Sequence, residues 1–306
     1  MILQKTIVIT TIKNCSILVF IFCLQSSLQG MTSISVLPVA KEDAWNGDHY
    51  HRHFQTSPQM ATARHILELL QCTPEQEILD VGSGTGDLAA YLALSVVPQG
   101  RVYGIDASPS MIATAQEHCK NFGNLQFRCA DAQAALWDNK QFDHVVCLAT
   151  LQWIQDQQAV LNNIAKSLKH NGSLLIAMGH REPTLYTPIM ATATSSKWVH
   201  HFKNPQQRPA NNQYEADMKV MLEKASLKPE IVRVWQRKSV FTSKEHFANF
   251  MRGWINAIAH VQELAPQLRN DFINDIIQAS YQVLAAKPDG SFELENPILI
   301  VKAIKA

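Results

Sequence analysis

The chain has 306 residues, 46% of them apolar and 17% charged, with a formal net charge of +1. That profile fits one large or two small globular domains, excludes a disordered chain, and supplies no broad field for nucleic acid. Six cysteines at 15, 23, 72, 119, 129 and 147 form no CxxC pair and no Cys/His cluster with zinc spacing. Free or buried thiols in a reducing compartment are expected, and no metal.

Residues 1–30 stand apart. Lys5 and Lys13 precede an apolar run over 17–24, and small and polar residues follow. The run is too short to span a bilayer. It reads as a signal-like segment, as a membrane-surface anchor, or as an extension upstream of a start at Met31. Residues 31–75 are expected to form an arm and a helix. The pattern from 50 to 70 puts Met60, Ile66, Leu67 and Leu70 on one face, and Thr73-Pro74 ends it.

Residues 76–180 alternate strand and helix. Strands are expected over 77–81, 101–105, 125–129, 142–148 and 173–178, with helices over 87–96, 108–122 and 157–168. Ser108-Pro109 supplies a capping hydroxyl and a first-turn proline. This order predicts βαβ units and a parallel sheet. Over 181–306 the pattern changes. Residues 183–215 read as irregular, 215–225 and 244–286 as helical, and 231–241 and 297–304 as strands. The expected whole is a Rossmann-like α/β doubly wound sheet of about seven strands, mostly parallel with an antiparallel last strand, under a helical lid.

The first strand runs from Asp80-Val81 into Gly82-Ser83-Gly84-Thr85-Gly86. Glycines at alternate positions let the backbone turn tightly and let a ligand touch the main chain. The spacing G-x-G-x-G differs from the dinucleotide fingerprint G-x-G-x-x-G, and the loop lacks a P-loop lysine. The second strand ends in Gly104-Ile105-Asp106, an acid that can accept from both hydroxyls of a ribose. The third is followed by Ala130-Asp131-Ala132, at the carboxyl edge where open α/β sheets bind ligands.

These motifs resemble those of the class I S-adenosylmethionine-dependent methyltransferases over roughly residues 50–180. ILDVGSGTG is similar to the family's first motif. The resemblance implies that Asp80, Gly82, Ser83, Gly84 and Gly86 surround the methionine part of the cofactor. YGIDASPSMI resembles the second motif, which implies Asp106 and Ala107 at the ribose and Met111 near the adenine. CADAQ resembles the third, with Asp131, flanked by Ala130 and Ala132, at the adenine amine. After the fourth strand, Leu148, implied beside the cofactor, leads into Gln152-Trp153-Ile154 rather than the Asn/Asp-Pro-Pro-aromatic tetrad of many base methylases. This stretch and the ending, FANFMRGWINAI through PILIVKAI, resemble the trans-aconitate and juvenile hormone acid methyltransferases. Tyr50 and Gln59 lie where those relatives place a tyrosine and a glutamine near the cofactor.

The implied activity is O-methylation of a carboxylate of a small organic or fatty acid. A carboxylate is ionised at neutral pH and needs no general base, so Gln152, Trp153 and Tyr50 are expected to position it. Had the acceptor been a hydroxyl, His53 would be the candidate base. Methylation of a hydroxyl or amine, a catalytically inactive cofactor-binding partner and an NAD-dependent oxidoreductase compete. The last is disfavoured by the glycine spacing and by the lack of a Tyr-x-x-x-Lys pair. No arginine pair for a tricarboxylate stands out, although Arg52, Arg64, Arg181 and Arg252 are available, and Trp254 is expected in the lid. The donor is made in the cytosol, which favours a cytoplasmic protein and Met31 as the start, and a monomer without a stable membrane span is expected.

Overall fold

The computed structural model describes residues 43, 45–54, 58–134, 136–137, 140–180, 184–207, 210 and 212–306. The readings for residues 1–30, for 31–42 and for Arg181 lie outside these, as do the side chains of Arg52, His53 and Gln59. Among the described residues no helix is long and apolar enough to cross a membrane. None of them groups three potential metal ligands, and Cys72, Cys119, Cys129 and Cys147 are free thiols.

Two helices open the described chain, α1 (Gly47–Phe54) and α2 (Pro58–Leu67). The single helical pattern of the sequence is divided here, and Pro58 begins the second helix, where its missing N–H costs nothing. Then follow β1 (Glu77–Val81), α3 (Asp87–Tyr91), β2 (Arg101–Asp106), α4 (Pro109–His118), β3 (Leu125–Cys129), β4 (Phe142–Leu148), α5 (Gln157–Ser167) and β5 (Leu168–Gly179). The Ser108 hydroxyl accepts the Met111 N–H at 3.1 Å and caps α4. Asp156 does the same for α5 through the Ala159 N–H at 2.9 Å.

Seven strands lie in the order β3-β2-β1-β4-β5-β8-β6, with β6 (Leu227–Phe241) and β8 (Phe292–Lys305) added after the βαβ units. The first five are mutually parallel. β8 runs antiparallel to both β5 and β6. A two-residue β7 (Ala285–Ala286) pairs with β8 as an eighth strand. The expected mostly parallel sheet with an antiparallel last strand is the observed one. β1 sits centrally, with Ile78, Leu79 and Val81 fully buried on both of its faces, as a strand covered on two sides requires.

The carboxyl-terminal half departs in its details. Residues 183–215 contain a helix, α6 (Tyr186–Thr194). It is followed by α7 (Glu215–Lys224). The pattern over 244–286 is cut into α8 (Lys244–Trp254), α9 (Ala259–Glu263) and α10 (Pro266–Ser280), where Pro266 opens the last helix. β8 begins five residues before the apolar run because Glu293 and Glu295 face Lys287 and Lys238 at 2.6 and 2.8 Å. Paired charges extend a strand that hydropathy alone ends early. Phe241, Phe247, Phe272 and Ile276, all fully buried, hold the lid helices in a core of their own.

Candidate active site

The glycine loop leaves β1 and turns back over β2. Gly82 and Ser83 both donate their N–H groups to the Ile105 carbonyl, at 2.7 and 2.9 Å. Gly82, Gly84 and Gly86 have φ of 77°, 53° and 81°, values that favour glycine. Their surroundings differ. A Cβ on Gly82 would lie 2.1 Å from the Thr150 hydroxyl, and one on Gly86 2.8 Å from the Phe127 ring. At Gly84 the nearest atom would be Tyr50 Cε1, 3.9 Å away. The outer glycines therefore serve packing, and the middle one faces open space.

Carboxylates surround that space. Asp106 accepts the Gly84 N–H at 3.0 Å and the Ser108 N–H at 2.9 Å. Burial raises its pKa, opposed by these two bonds. Asp80 is buried with Oδ2 unpartnered. Burial, reinforced by Asp106, pushes it up to about 7. Ser83 Oγ is likewise buried without a partner. Asp87 accepts from Thr85 Oγ1 at 2.6 Å and pairs with His51 Nδ1 at 3.0 Å. A buried, acid-rich cradle with unspent acceptors suits a ligand that brings cationic groups and hydroxyls, and repels a phosphate.

The strand ends align the remaining acids. The Ala130 N–H donates to the Asp106 carbonyl at 2.9 Å, so the β2 and β3 ends stay side by side. Asp131 beyond it is exposed, and its Oδ1 accepts from the Gln133 N–H at 2.9 Å. Met111 and Ala132 are buried, and Ala107 is exposed.

The segment from Asp43 through α1 straps the open side of this cradle. Asp43 accepts from Ser108 Oγ at 2.7 Å and from the Ser110 N–H at 3.1 Å. Tyr50 stands between the loop and α8, with its ring near both Gly84 and Gly253. Burial, then Asp87, Asp106 and Asp80, raise the pKa of its phenol, so it cannot act as a base near neutral pH.

Beside Leu148 opens a largely apolar pocket. Tyr50, Leu148, Gln152, Trp153, Arg237 and Trp254 lie in its wall. Its near end is fixed by a kink after β4. Ala149 has φ of 56°, a conformation that costs an alanine about 1 kcal/mol. The kink lets the Ala149 carbonyl accept from Trp153 Nε1 at 3.1 Å. It also lets Thr150 Oγ1 donate toward the carbonyls of Leu148 and Gly82, at 3.1 and 3.3 Å. Rings continue the wall: Trp45 packs edge-on against Tyr50 at 5.9 Å and Trp153 at 5.8 Å, and Trp153 lies 6.2 Å from Trp254. Among the described residues lining the pocket there is no Asp, Glu, His, Lys or Cys. Its charge is the guanidinium of Arg237, whose Nε is buried without a partner and whose pKa burial pushes down to about 10.

The structure thus brings together the residues singled out around the loop and after β4, while Gln59 belongs to α2. The two candidate arginines whose side chains are described go elsewhere. Arg64 lies over the Tyr91 ring at 5.0 Å, and Arg252 donates to Asn274 at 3.0 Å. Trp45 and Arg237 escaped the sequence reading. Trp45 belongs to an arm without periodicity, and Arg237 is one of several charges on a strand that alternates.

The family model described as a methyltransferase domain matches residues 73–228. Protein 235L of Invertebrate iridescent virus 6, named for a methyltransferase, is 24% identical over 85% of this chain and 92% of its own length. Trans-aconitate 2-methyltransferase of Deinococcus radiodurans is 33% identical over 43% of this chain and 48% of its own. Juvenile hormone acid O-methyltransferase of Bombyx mori is 33% identical over 40% and 46%. The chain spans about half the length of these two curated relatives. Among solved structures, phosphoethanolamine N-methyltransferase 2 of Haemonchus contortus in complex with S-adenosyl-L-methionine superposes with a TM-score of 0.52 at 20% identity. The match covers 80% of this chain and 52% of that one.

Proposed function

Since the chain belongs to the methyltransferase-domain family and is an S-adenosylmethionine-dependent methyltransferase, we propose that it methylates a carboxylate oxygen of a small organic or fatty acid, as its likeness to the trans-aconitate and juvenile hormone acid enzymes suggests. One observation carries this reading: among its described lining residues, the pocket beside Leu148 holds a cation and no Asp, Glu, His, Lys or Cys to serve as a general base. A hydroxyl or an ammonium must lose a proton before it can attack, whereas a carboxylate is ionised already.

In this reading Asp80, Gly82, Ser83, Gly84, Gly86 and Gln59 hold the methionine part of the cofactor. Asp106 and Ala107 hold its ribose, with Met111 beside the adenine. Asp131, between Ala130 and Ala132, takes the adenine amine, and Leu148 separates cofactor from acceptor. S-Adenosylmethionine supplies an activated methyl group: the C–O bond forms from a carboxylate lone pair as the S–CH3 bond breaks, the released electron pair stays on sulfur, and no proton moves. Tyr50, Gln152 and Trp153 orient the acceptor and, with Trp45 and Trp254, exclude water, so positioning and desolvation supply the rate. We take the chain to act in the cytosol, as a monomer, on small molecules rather than nucleic acid.

A second reading has its own observation. Gln152 Oε1 is buried without a partner and would welcome a donor, which a hydroxyl or amine acceptor brings. A tritiated-methyl assay against organic acids, fatty acids, amines and phenols decides. Base-labile methyl esters formed from acids are expected. Turnover of amines or phenols without any acid overturns the proposal.

A further inference from the structure

The two ends of the acceptor pocket are far apart, and strand register measures how far. Leu148 on β4 is level with Ala177 on β5, and Gly179, two residues on, is level with Ile298 on β8. Asn296, two residues beyond that, is level with Arg237 on β6. Arg237 therefore stands four residues past Leu148 along the strand direction and three strands across. With ordinary strand rise and spacing, the two Cα atoms are roughly 19 Å apart in the sheet plane. Even laid along the sheet, an extended arginine side chain would cover less than half of that span, so at least roughly 10 Å separates its guanidinium from the Leu148 end. Both residues nevertheless line one pocket.

The polar groups around the far end are already engaged. Asn212 accepts from the Tyr186 hydroxyl and donates to the His180 carbonyl, each at 2.8 Å. Asn296 accepts the Thr184 N–H at 3.1 Å. Arg237 is different. Its Nε is buried with no partner, and among the described residues no carboxylate lowers the cost of its charge, which burial disfavours. A guanidinium whose Nε finds no partner among the described residues suits a planar anion, because its fork matches a carboxylate.

We infer that Arg237 binds a second, non-reacting carboxylate of the acceptor, at the end of the pocket opposite the transferred methyl. Resting on the carboxylate reading above, this makes the substrate a dicarboxylic acid with an apolar spacer against the aromatic wall. One carboxylate, at the Leu148 end, becomes the methyl ester, and the other stays ionised on Arg237. The spacer must be long enough to bridge the pocket, so adipate to sebacate fit and succinate is too short.

The test reads binding as well as turnover. Straight-chain dicarboxylates from succinate to sebacate, and monocarboxylates of matched length, are titrated calorimetrically into the complex with S-adenosylhomocysteine. The same acids then enter the tritiated-methyl assay. Longer diacids are expected to bind and turn over on the order of 100-fold better than matched monoacids, the scale of a charged hydrogen-bond pair. Arg237→Met should abolish this preference, and Arg237→Lys should retain part of it. Unchanged S-adenosylhomocysteine binding shows that a variant is folded. If the Met variant fails this check, the Lys variant at rising salt carries the test, and a diacid preference that salt does not weaken overturns the inference. Monoacids handled as well as diacids overturn it and leave carboxylate methylation standing. An ω-hydroxy acid methylated on its hydroxyl, with the same dependence on Arg237, supports the Arg237 anchor and overturns the carboxylate reading.

Discussion

Asp106 accepts the backbone N–H of Gly84 at 3.0 Å, so the acid that ends β2 holds the glycine loop that leaves β1. Loop shape and ligand acid are thereby one unit. Asp106→Asn keeps a side-chain oxygen but loses the charge that favours ribose hydroxyls. It is expected to weaken S-adenosylhomocysteine binding by about 10-fold to 100-fold, the range of a charge-assisted bond. Calorimetry checks this.

The three glycines are expected to separate in their effects. Gly84→Ala places a Cβ in open space at φ 53°. It should cost about 1 kcal/mol of stability from backbone strain while sharply weakening the cofactor. Gly82→Ala meets Thr150 at once and should cost about 3 kcal/mol. Thermal melts with and without S-adenosylhomocysteine distinguish a lost ligand from a lost fold.

Asp80 links binding to pH. Burial and Asp106 hold its folded pKa at about 7, above the ordinary carboxylate value of 3.8. The folded chain therefore keeps a proton that the unfolded chain releases. This stabilising contribution is complete below the ordinary value and is lost as pH rises through about 7. A cationic ligand reverses the preference by favouring ionised Asp80. Cofactor binding should release a proton below about pH 7, and affinity should rise as pH climbs toward that value. Calorimetry in buffers of different ionisation enthalpy measures the proton. Asp80→Asn should abolish its release.

Trp153→Phe retains a ring and loses the indole bond to the Ala149 carbonyl. A stability loss of about 1 kcal/mol is expected. The KM for the acceptor should rise while S-adenosylhomocysteine affinity stays unchanged, because the pocket wall tilts and the cradle does not.

The strap should govern exchange. Asp43→Ala removes the acceptor for Ser108 and Ser110. The S-adenosylhomocysteine off-rate is expected to rise about 10-fold, the scale of one charged hydrogen-bond network at a gating segment. Stopped-flow displacement reads it directly.

The cofactor half was legible because its signals are local. Strand, glycine loop and helix follow one another within ten residues around Gly82, and Ser108-Pro109 marks its own helix. The single antiparallel last strand and the apolar run that carries it were legible too. The acceptor half was not, because its pieces come from distant segments. Arg237 becomes distinctive only once β6 pairs with β8 and carries it past the end of β5. Trp45 joins the pocket wall through Trp153, more than a hundred residues away. Pro58 and Pro266 were visible as letters, yet the continuous apolar periodicity around each concealed the break.

The placement of β8 between β5 and β6 also sets an order of events during synthesis. The five parallel strands can assemble as they emerge, each beside a neighbour already made. β6 emerges with its neighbour still untranslated and must wait as an unpaired edge until β8 follows it. The donor side of the enzyme can thus mature on the ribosome, while the acceptor side closes only once β8 has been made. Ribosome-bound chains stopped before β8 should already capture S-adenosylhomocysteine and should discriminate between no acids at all.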